Sequence, residues 1–197
     1  MDTTLTLAFD RSAERIDQLP ASRAEVAIVG RSNVGKSSLL NAVAGVAGLA
    51  RTSKTPGRTR LLNCFVTDRG ATVLDLPGYG YAKVSASERA QWRVRLGTYL
   101  REREALVMTI VLVDGEVGPT ALDVQLLEWM REFSVPFTVV ATKHDKVRSS
   151  KRVRRRRELA AGVGLDESEV LWVSAVTGVN IDRLRARIDG WLHDPSL

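Results

Sequence analysis

Short apolar runs alternate along the chain with segments whose apolar residues recur every three or four positions. Glu25 to Val29 reads as a buried strand ending at Gly30, and Ser37 to Ala44 as a helix with Leu39, Leu40 and Val43 turned inward. Leu61 to Thr67 and Ala71 to Leu76 read as two strands joined by a turn at Asp68-Arg69-Gly70. Ser85-Ala86-Ser87-Glu88 is a capping-box pattern, which predicts a helix from there to about Arg103. Leu106 to Val113 is nearly all apolar, as a central parallel strand is. Pro119-Thr120 opens a helix carrying Leu122, Leu126, Leu127, Met130 and Phe133, and Pro136 to Ala141 is a further buried strand. Ser149 to Ala161 predicts a basic helix with Val153 and Ala160 on its packing seam. Val170 to Val173 is a short strand. Asn180 caps a last helix, on which Ile181, Leu184, Ile188 and Leu192 share a face.

This alternation predicts an α/β fold: a six-stranded, mostly parallel sheet with one antiparallel edge and helices on both faces. We read one domain over residues 23–197 and an N-terminal extension over 1–22, in which Thr4 to Phe9 is an extra edge strand or an ordered tail. A single cysteine excludes a disulfide within the chain, and one Cys with two His cannot form a Cys/His zinc site. No apolar run approaches the ~20 residues that span a bilayer. The start of the chain lacks the basic and apolar segments of a signal peptide, so a cytoplasmic, monomeric protein without stable membrane association is expected. The net charge of +6 is concentrated: residues 146–157 carry eight basic and no acidic side chains. A block of this kind points to a polyanionic partner more than general basicity does.

Gly30-Arg31-Ser32-Asn33-Val34-Gly35-Lys36-Ser37 fits G-x-x-x-x-G-K-[ST], preceded by a strand and followed by a helix. The glycines let backbone N–H groups wrap phosphates, Lys36 supplies a point charge and the Ser37 hydroxyl can ligate Mg²⁺. Asp75-Leu76-Pro77-Gly78 ends a strand, where the carboxylate can hold Mg²⁺ through water and the Gly78 N–H can meet a γ-phosphate. Thr55-Pro56-Gly57-Arg58-Thr59 lies where a switch threonine would reach the cation, and Thr59 is the candidate. Thr142-Lys143-His144-Asp145 follows a buried strand. Its aspartate can accept two hydrogen bonds from guanine, and the Lys143 stem can cover the base. The backbone of Ser174-Ala175, at the next strand end, can reach guanine O6. His144 is expected as a neutral surface residue facing away, and Asp114 is a secondary candidate without an assigned role.

Together these elements resemble the translation-factor-related small GTPases, and within them the EngB family (also called YihA or YsxC). The carrying stretches are G-R-S-N-V-G-K-S-S over 30–38, R-T-S-K-T-P-G-R-T-R over 51–60 and D-L-P-G-Y-G-Y-A-K-V-S over 75–85. Glu88, Trp92, Thr142 to Asp145 and Ser174-Ala175 complete the resemblance, which runs from about Glu25 to Trp191. It implies that GTP is contacted by Gly30, Arg31, Ser32, Asn33, Val34, Gly35, Lys36 and Ser37, then by Gly57, Arg58, Thr59, Arg60 and Leu61. Asp75, Leu76, Pro77 and Gly78 follow, then Thr142, Lys143, His144 and Asp145, and finally Val173, Ser174 and Ala175. Ser37 and Thr59 would ligate Mg²⁺, and Lys36, Thr59 and Gly78 would serve hydrolysis to GDP. Asn33 resembles the asparagine that ligates K⁺ in some related GTPases; the other role open to it is shaping the loop. The family's role would be a conformational switch in large ribosomal subunit assembly, needed for normal cell division and septation. Residues 146–157 would then meet rRNA of the large subunit or its precursor. The chain departs from the family at Asp114-Gly115-Glu116-Val117, where an arginine is usual.

Two other readings compete. A metabolic P-loop phosphotransferase would need no threonine loop and no guanine pattern. A GTPase docked on membranes or the division apparatus would be expected to carry a lipidation motif or an amphipathic anchor. Tyr79 stands where many regulatory GTPases place a water-orienting glutamine, so intrinsic hydrolysis near the ~10⁻⁴ s⁻¹ of an unstimulated small GTPase is expected. Tyr79 and Tyr81 either pack internally or form a nucleotide-dependent surface.

Overall fold

The computed structural model describes residues 5–50, 61–80 and 86–193. The Thr55–Thr59 loop with Gly57, Arg58, Thr59 and Arg60, as well as Tyr81 and the capping residue Ser85, lie outside the described residues.

Alternation on one strand explains the three-layer arrangement. Along β2 (Glu25–Gly30), Val26 and Ile28 point to one face and Ala27 and Val29 to the other, and all four are fully buried. A strand buried on both sides needs a helical layer on each. The first face is covered by α1 (Lys36–Ala44) through Leu39, Leu40 and Val43, and by α5 (Ile181–His193) through Ile181, Leu184, Ile188 and Leu192. The opposite face is covered by α2 (Ala86–Glu102) through Leu96, Tyr99 and Leu100, by α3 (Ala121–Glu132) through Leu127 and Met130, and by α4 (Arg152–Val163).

The remaining strands are β1 (Leu7–Ala13), β3 (Leu62–Thr67), β4 (Thr72–Asp75), β5 (Leu106–Asp114), β6 (Phe137–Thr142) and β7 (Val170–Trp172). Their order is β1-β3-β4-β2-β5-β6-β7, so the sheet has seven strands rather than the expected six. The added strand is the ambiguous N-terminal stretch, and it pairs antiparallel with β3 in register Leu7 to Thr67. Its exposed middle obscured the alternation, because only its ends are buried. β3 and β4 are also antiparallel, and β4-β2-β5-β6-β7 run parallel. The parallel strands therefore deliver all their carboxyl ends to one edge.

At the other end of β2, Glu25 is fully buried and fully bonded. Its carboxylate accepts from Tyr99 Oη (2.8 Å), Thr72 Oγ1 (2.7 Å) and both Nε and Nη2 of Arg103 (3.0 Å each). This buried ion pair ties α2 to the sheet and keeps the charge from standing alone.

Two local expectations are corrected. Phe133 falls at the end of α3, is 42% exposed and stacks on Trp129 with Arg101 over its ring. Val153 is 62% exposed, because Ser149–Lys151 form a separate 3-10 turn that shifts the seam of α4 to Leu159, Ala160 and Val163. Asn180 stands at the cap of α5 as expected, its carbonyl accepting the Leu184 N–H (3.0 Å); its backbone is left-handed at φ 56 and its Nδ2 donates to the Trp172 carbonyl (2.7 Å).

Candidate functional site

The site is built where the strands end. After β2 the chain turns through Gly30 to Ser37 into α1. Gly35 is the residue before the helix and has φ 106, a conformation that a Cβ would strain. Asn33 is left-handed at φ 65 and exposed, and Val34 anchors the loop by burying its side chain. The unpaired N–H groups of the first turn of α1 are thereby presented at the loop, a ready anion site. Lys36 opens the helix, with Nζ 3.5 Å from the Gly30 carbonyl oxygen.

Asp75, at the end of β4, is buried beside this lysine. Burial pushes its carboxyl up to about 6, against the opposing influence of Lys36 and a hydrogen bond from Asn63. Burial also lowers the Lys36 ammonium, again opposed by Asp75. The two charges thus only partly compensate each other. Asp75 Oδ1 has no hydrogen-bond partner among the described residues. An orphaned buried carboxylate oxygen next to a phosphate loop fits a hydrated Mg²⁺.

The following segment lies directly on the loop. Ser32 N–H donates to the Tyr79 carbonyl (2.9 Å) and Tyr79 N–H donates to the Gly30 carbonyl (3.3 Å). Gly78 is so close that a Cβ would stand 2.9 Å from Lys36 Nζ and 3.0 Å from Ser32 N. Leu76 and Pro77 are buried, and Leu61 is half-buried just before β3. Tyr79 packs internally, and its hydroxyl donates to Asp123 Oδ1 (2.6 Å).

The third part comes from β6 and β7. Thr142 Oγ1 donates to the Val34 carbonyl (2.7 Å), which joins the T-K-x-D segment to the phosphate loop. Asp145 Oδ1 accepts from Ser174 Oγ (2.6 Å), and that fully buried serine also takes the Thr177 N–H. The aspartate is therefore aimed, with Ser174 and half-buried Ala175 beside it and Val173 buried beneath. Lys143, left-handed at φ 56, donates to Asp114 Oδ2 (2.6 Å), while Asp114 Oδ1 accepts the N–H groups of Glu116 and Val117. Asp114 thus has the role that its position alone did not assign: it holds Lys143. Gly115 leaves no room for a side chain, since a Cβ would stand 2.6 Å from the Trp172 ring.

His144 is a correction. Its ring is buried edge-on to Trp172, not on the surface, and its backbone N–H donates to the Val173 carbonyl. Burial, with Arg152 and Arg156 nearby, lowers its pKa, so the neutral state holds. Periodicity could not show this, because the residue lies in a 3-10 turn after the strand. Sequence reasoning also missed Asp123 and Asn63; an acid three residues after Thr120 was the visible capping signal for the first. The basic block divides. Arg154 pairs with Glu158 (2.6 Å), Arg155 lies 3.6 Å from the same carboxylate and Arg157 pairs with Glu167 (3.2 Å). Among the described residues Lys146, Arg148, Lys151 and Arg156 pair with no acid.

This edge of the sheet is that of a P-loop GTPase, and the 50S ribosome-binding GTPase family (MMR_HSR1) matches residues 25–143. A probable GTP-binding protein EngB from Pelotomaculum thermopropionicum is 45% identical over 93% of this chain and 94% of its own. The protein of that name from Nitrosococcus oceani is 41% identical over the same shares. A crystal structure of a probable GTP-binding protein engB superposes with TM-score 0.68 at 26% identity, over 84% of this chain and 96% of that one. Era, solved in complex with MgGDPNP and nucleotides 1506–1542 of 16S ribosomal RNA, superposes at 0.66 with 26% identity, over 88% of this chain and 58% of that one. The chain belongs to the EngB family of GTP-binding proteins, binds guanine nucleotide and hydrolyses GTP, which removes the phosphotransferase reading. Among the described residues no helix is long and apolar enough to cross a membrane.

The raised Asp75 pKa carries a stability consequence. A carboxyl at about 6 in the fold and 3.8 in the unfolded chain destabilises the fold once ionised: fully above pH 6, not at all below about 4. Asp75→Asn should therefore stabilise the nucleotide- and metal-free protein at pH 8 by on the order of 3 kcal/mol. Urea unfolding at pH 8 and pH 4 checks this, with the gain expected to vanish at pH 4.

Proposed function

We propose that the protein is a GTP-driven switch in large ribosomal subunit assembly, and through it in normal division and septation. Supporting the nucleotide part is one observation above the rest: buried Asp75 and half-buried Lys36 lie beside each other and are incompletely compensated. In this reading Gly30 to Ser37 wraps the phosphates and Lys36 neutralises charge on the β- and γ-groups. The Gly78 N–H reports the γ-phosphate, and water displaces GDP from it. Ser37 and Thr59 would hold Mg²⁺ directly and Asp75 through water; the ion supplies charge neutralisation at the phosphates. Tyr79 is engaged by Asp123 and offers no amide to orient water, which supports slow intrinsic hydrolysis. The left-handed backbone of Asn33 is one that asparagine adopts readily, which supports its loop-shaping role. In this reading residues 1–22 are an N-terminal extension, of which Leu7–Ala13 add a strand to the sheet, and 23–197 are the GTP-binding domain.

Asp145, aimed by Ser174, is the proposed guanine reader. Asp145→Asn exchanges its acceptor pair for an amide. It should weaken GTP at least tenfold, the effect of losing a charged buried partner, and improve xanthosine triphosphate. Competition binding of the two nucleotides tests the assignment, and an unchanged GTP affinity would refute it.

The ribosomal part rests on the basic block of residues 146–157, in which Lys146, Arg148, Lys151 and Arg156 pair with no acid among the described residues, on the family being one of 50S ribosome-binding GTPases and on Era, a relative in fold, having been solved with rRNA. The contacts would be to phosphates, since no aromatic residue interleaves the arginines. Replacing Arg154, Arg155, Arg156 and Arg157 with Gln should weaken large-subunit binding and flatten its salt dependence. Sedimentation with purified subunits across a salt series checks this. Parent-like affinity and slope would move the docking site elsewhere.

A further inference from the structure

The geometry assigns Asp123 a role in the reaction cycle: acting through Tyr79, it is a positioning residue that latches the Gly78–Tyr79 segment onto the phosphate loop in the triphosphate-free state. The inference rests on the switch reading above. Asp123 is 1% exposed and spends both carboxylate oxygens. Oδ2 accepts the N–H and hydroxyl of Thr120 (2.7 Å each), which fixes the start of α3. Oδ1 accepts the Tyr79 hydroxyl (2.6 Å) across 44 residues of sequence. Among the described residues no cation lies within ion-pair distance of this carboxylate. A buried charge held only by neutral donors is a costly arrangement for a helix cap, which an exposed acid performs as well.

What the bond holds is the backbone. With the phenol anchored, the Tyr79 main chain sits in both hydrogen bonds to Gly30 and Ser32, and Gly78 rests against Lys36 Nζ. In this position the Ser32 N–H is spent on the chain itself and the space between Gly78 and Lys36 is closed. A γ-phosphate that bonds both Lys36 and the Gly78 N–H needs that space. Triphosphate binding and the latch therefore compete, whereas a diphosphate need not disturb it. The ring has somewhere to go: it borders a cavity of about 210 Å³ between α2 and α3, lined by Leu96, Leu122, Leu126 and Trp129.

Two variants weaken the latch while keeping the fold. Tyr79→Phe removes the hydroxyl and keeps the ring. Asp123→Asn keeps an oxygen cap for Thr120 and turns its amide nitrogen to the phenol, so the charge-assisted bond that holds Tyr79 is replaced by a weaker neutral one. Affinities for GDP and for a non-hydrolysable GTP analogue, each with Mg²⁺, are measured on the full chain. The ratio of the two is the readout, because a general loss of folded protein cancels in it. Each variant should shift the ratio toward the triphosphate by about tenfold, the worth of a hydrogen bond to a charged group. The double variant should shift it no further. An unchanged ratio, a shift toward GDP or additive shifts would overturn the latch. A parent protein that bound neither nucleotide would instead overturn the switch reading, and the latch with it.

Discussion

A buried carboxylate at the end of β4 and a half-buried ammonium at the start of α1 set the character of this molecule. Lys36 and Asp75 are brought together because β2 and β4 are parallel neighbours, Ile28 lying opposite Asp75 in register. Each relieves the other only in part, so that the carboxyl sits near 6 and the ammonium below its usual value. Free energy of this kind is recovered when a polyanion reaches the lysine and a cation reaches the carboxylate. The unliganded fold therefore stores part of its binding energy as destabilisation of its own site.

The rest of the edge is organised around that pair by single hydrogen bonds between loops. Thr142 reaches the carbonyl of Val34, Ser32 and Gly30 reach the backbone of Tyr79, and Ser174 reaches Asp145. Each joins loops that follow different strands, so base, phosphate and sensing segments share one rigid frame. The frame is stiff because the sheet beneath it is buried on both faces. Asp114 and Asp123, at either end of the β5–α3 connection, extend it to Lys143 and Tyr79. That connection thus serves both the base side and the phosphate side.

Much of this was legible in the residues. The phosphate loop, D-x-P-G and T-K-x-D are contiguous motifs whose chemistry depends on spacing, and their strands and helices follow apolar periods. Less legible were features set by partners distant in sequence. β1 hides its register because its middle faces water, and His144 is buried by Trp172, a residue 28 positions on. Val153 was misplaced by a one-turn change of helix type that leaves no mark on apolar spacing. Asp123 carried a capping signal, but nothing along the chain showed that its second oxygen receives Tyr79.

The central claim is that Asp75 is a desolvated carboxylate awaiting a cation. A pH titration of its carboxyl carbon by NMR tests this directly, first without nucleotide or metal and then with Mg²⁺ and a non-hydrolysable GTP analogue. The account predicts a midpoint near pH 6 in the free protein and a fall below the ordinary value of 3.8 in the complex. An ordinary midpoint in the free protein, or one that stays near 6 when Mg²⁺ and the analogue are bound, would contradict it.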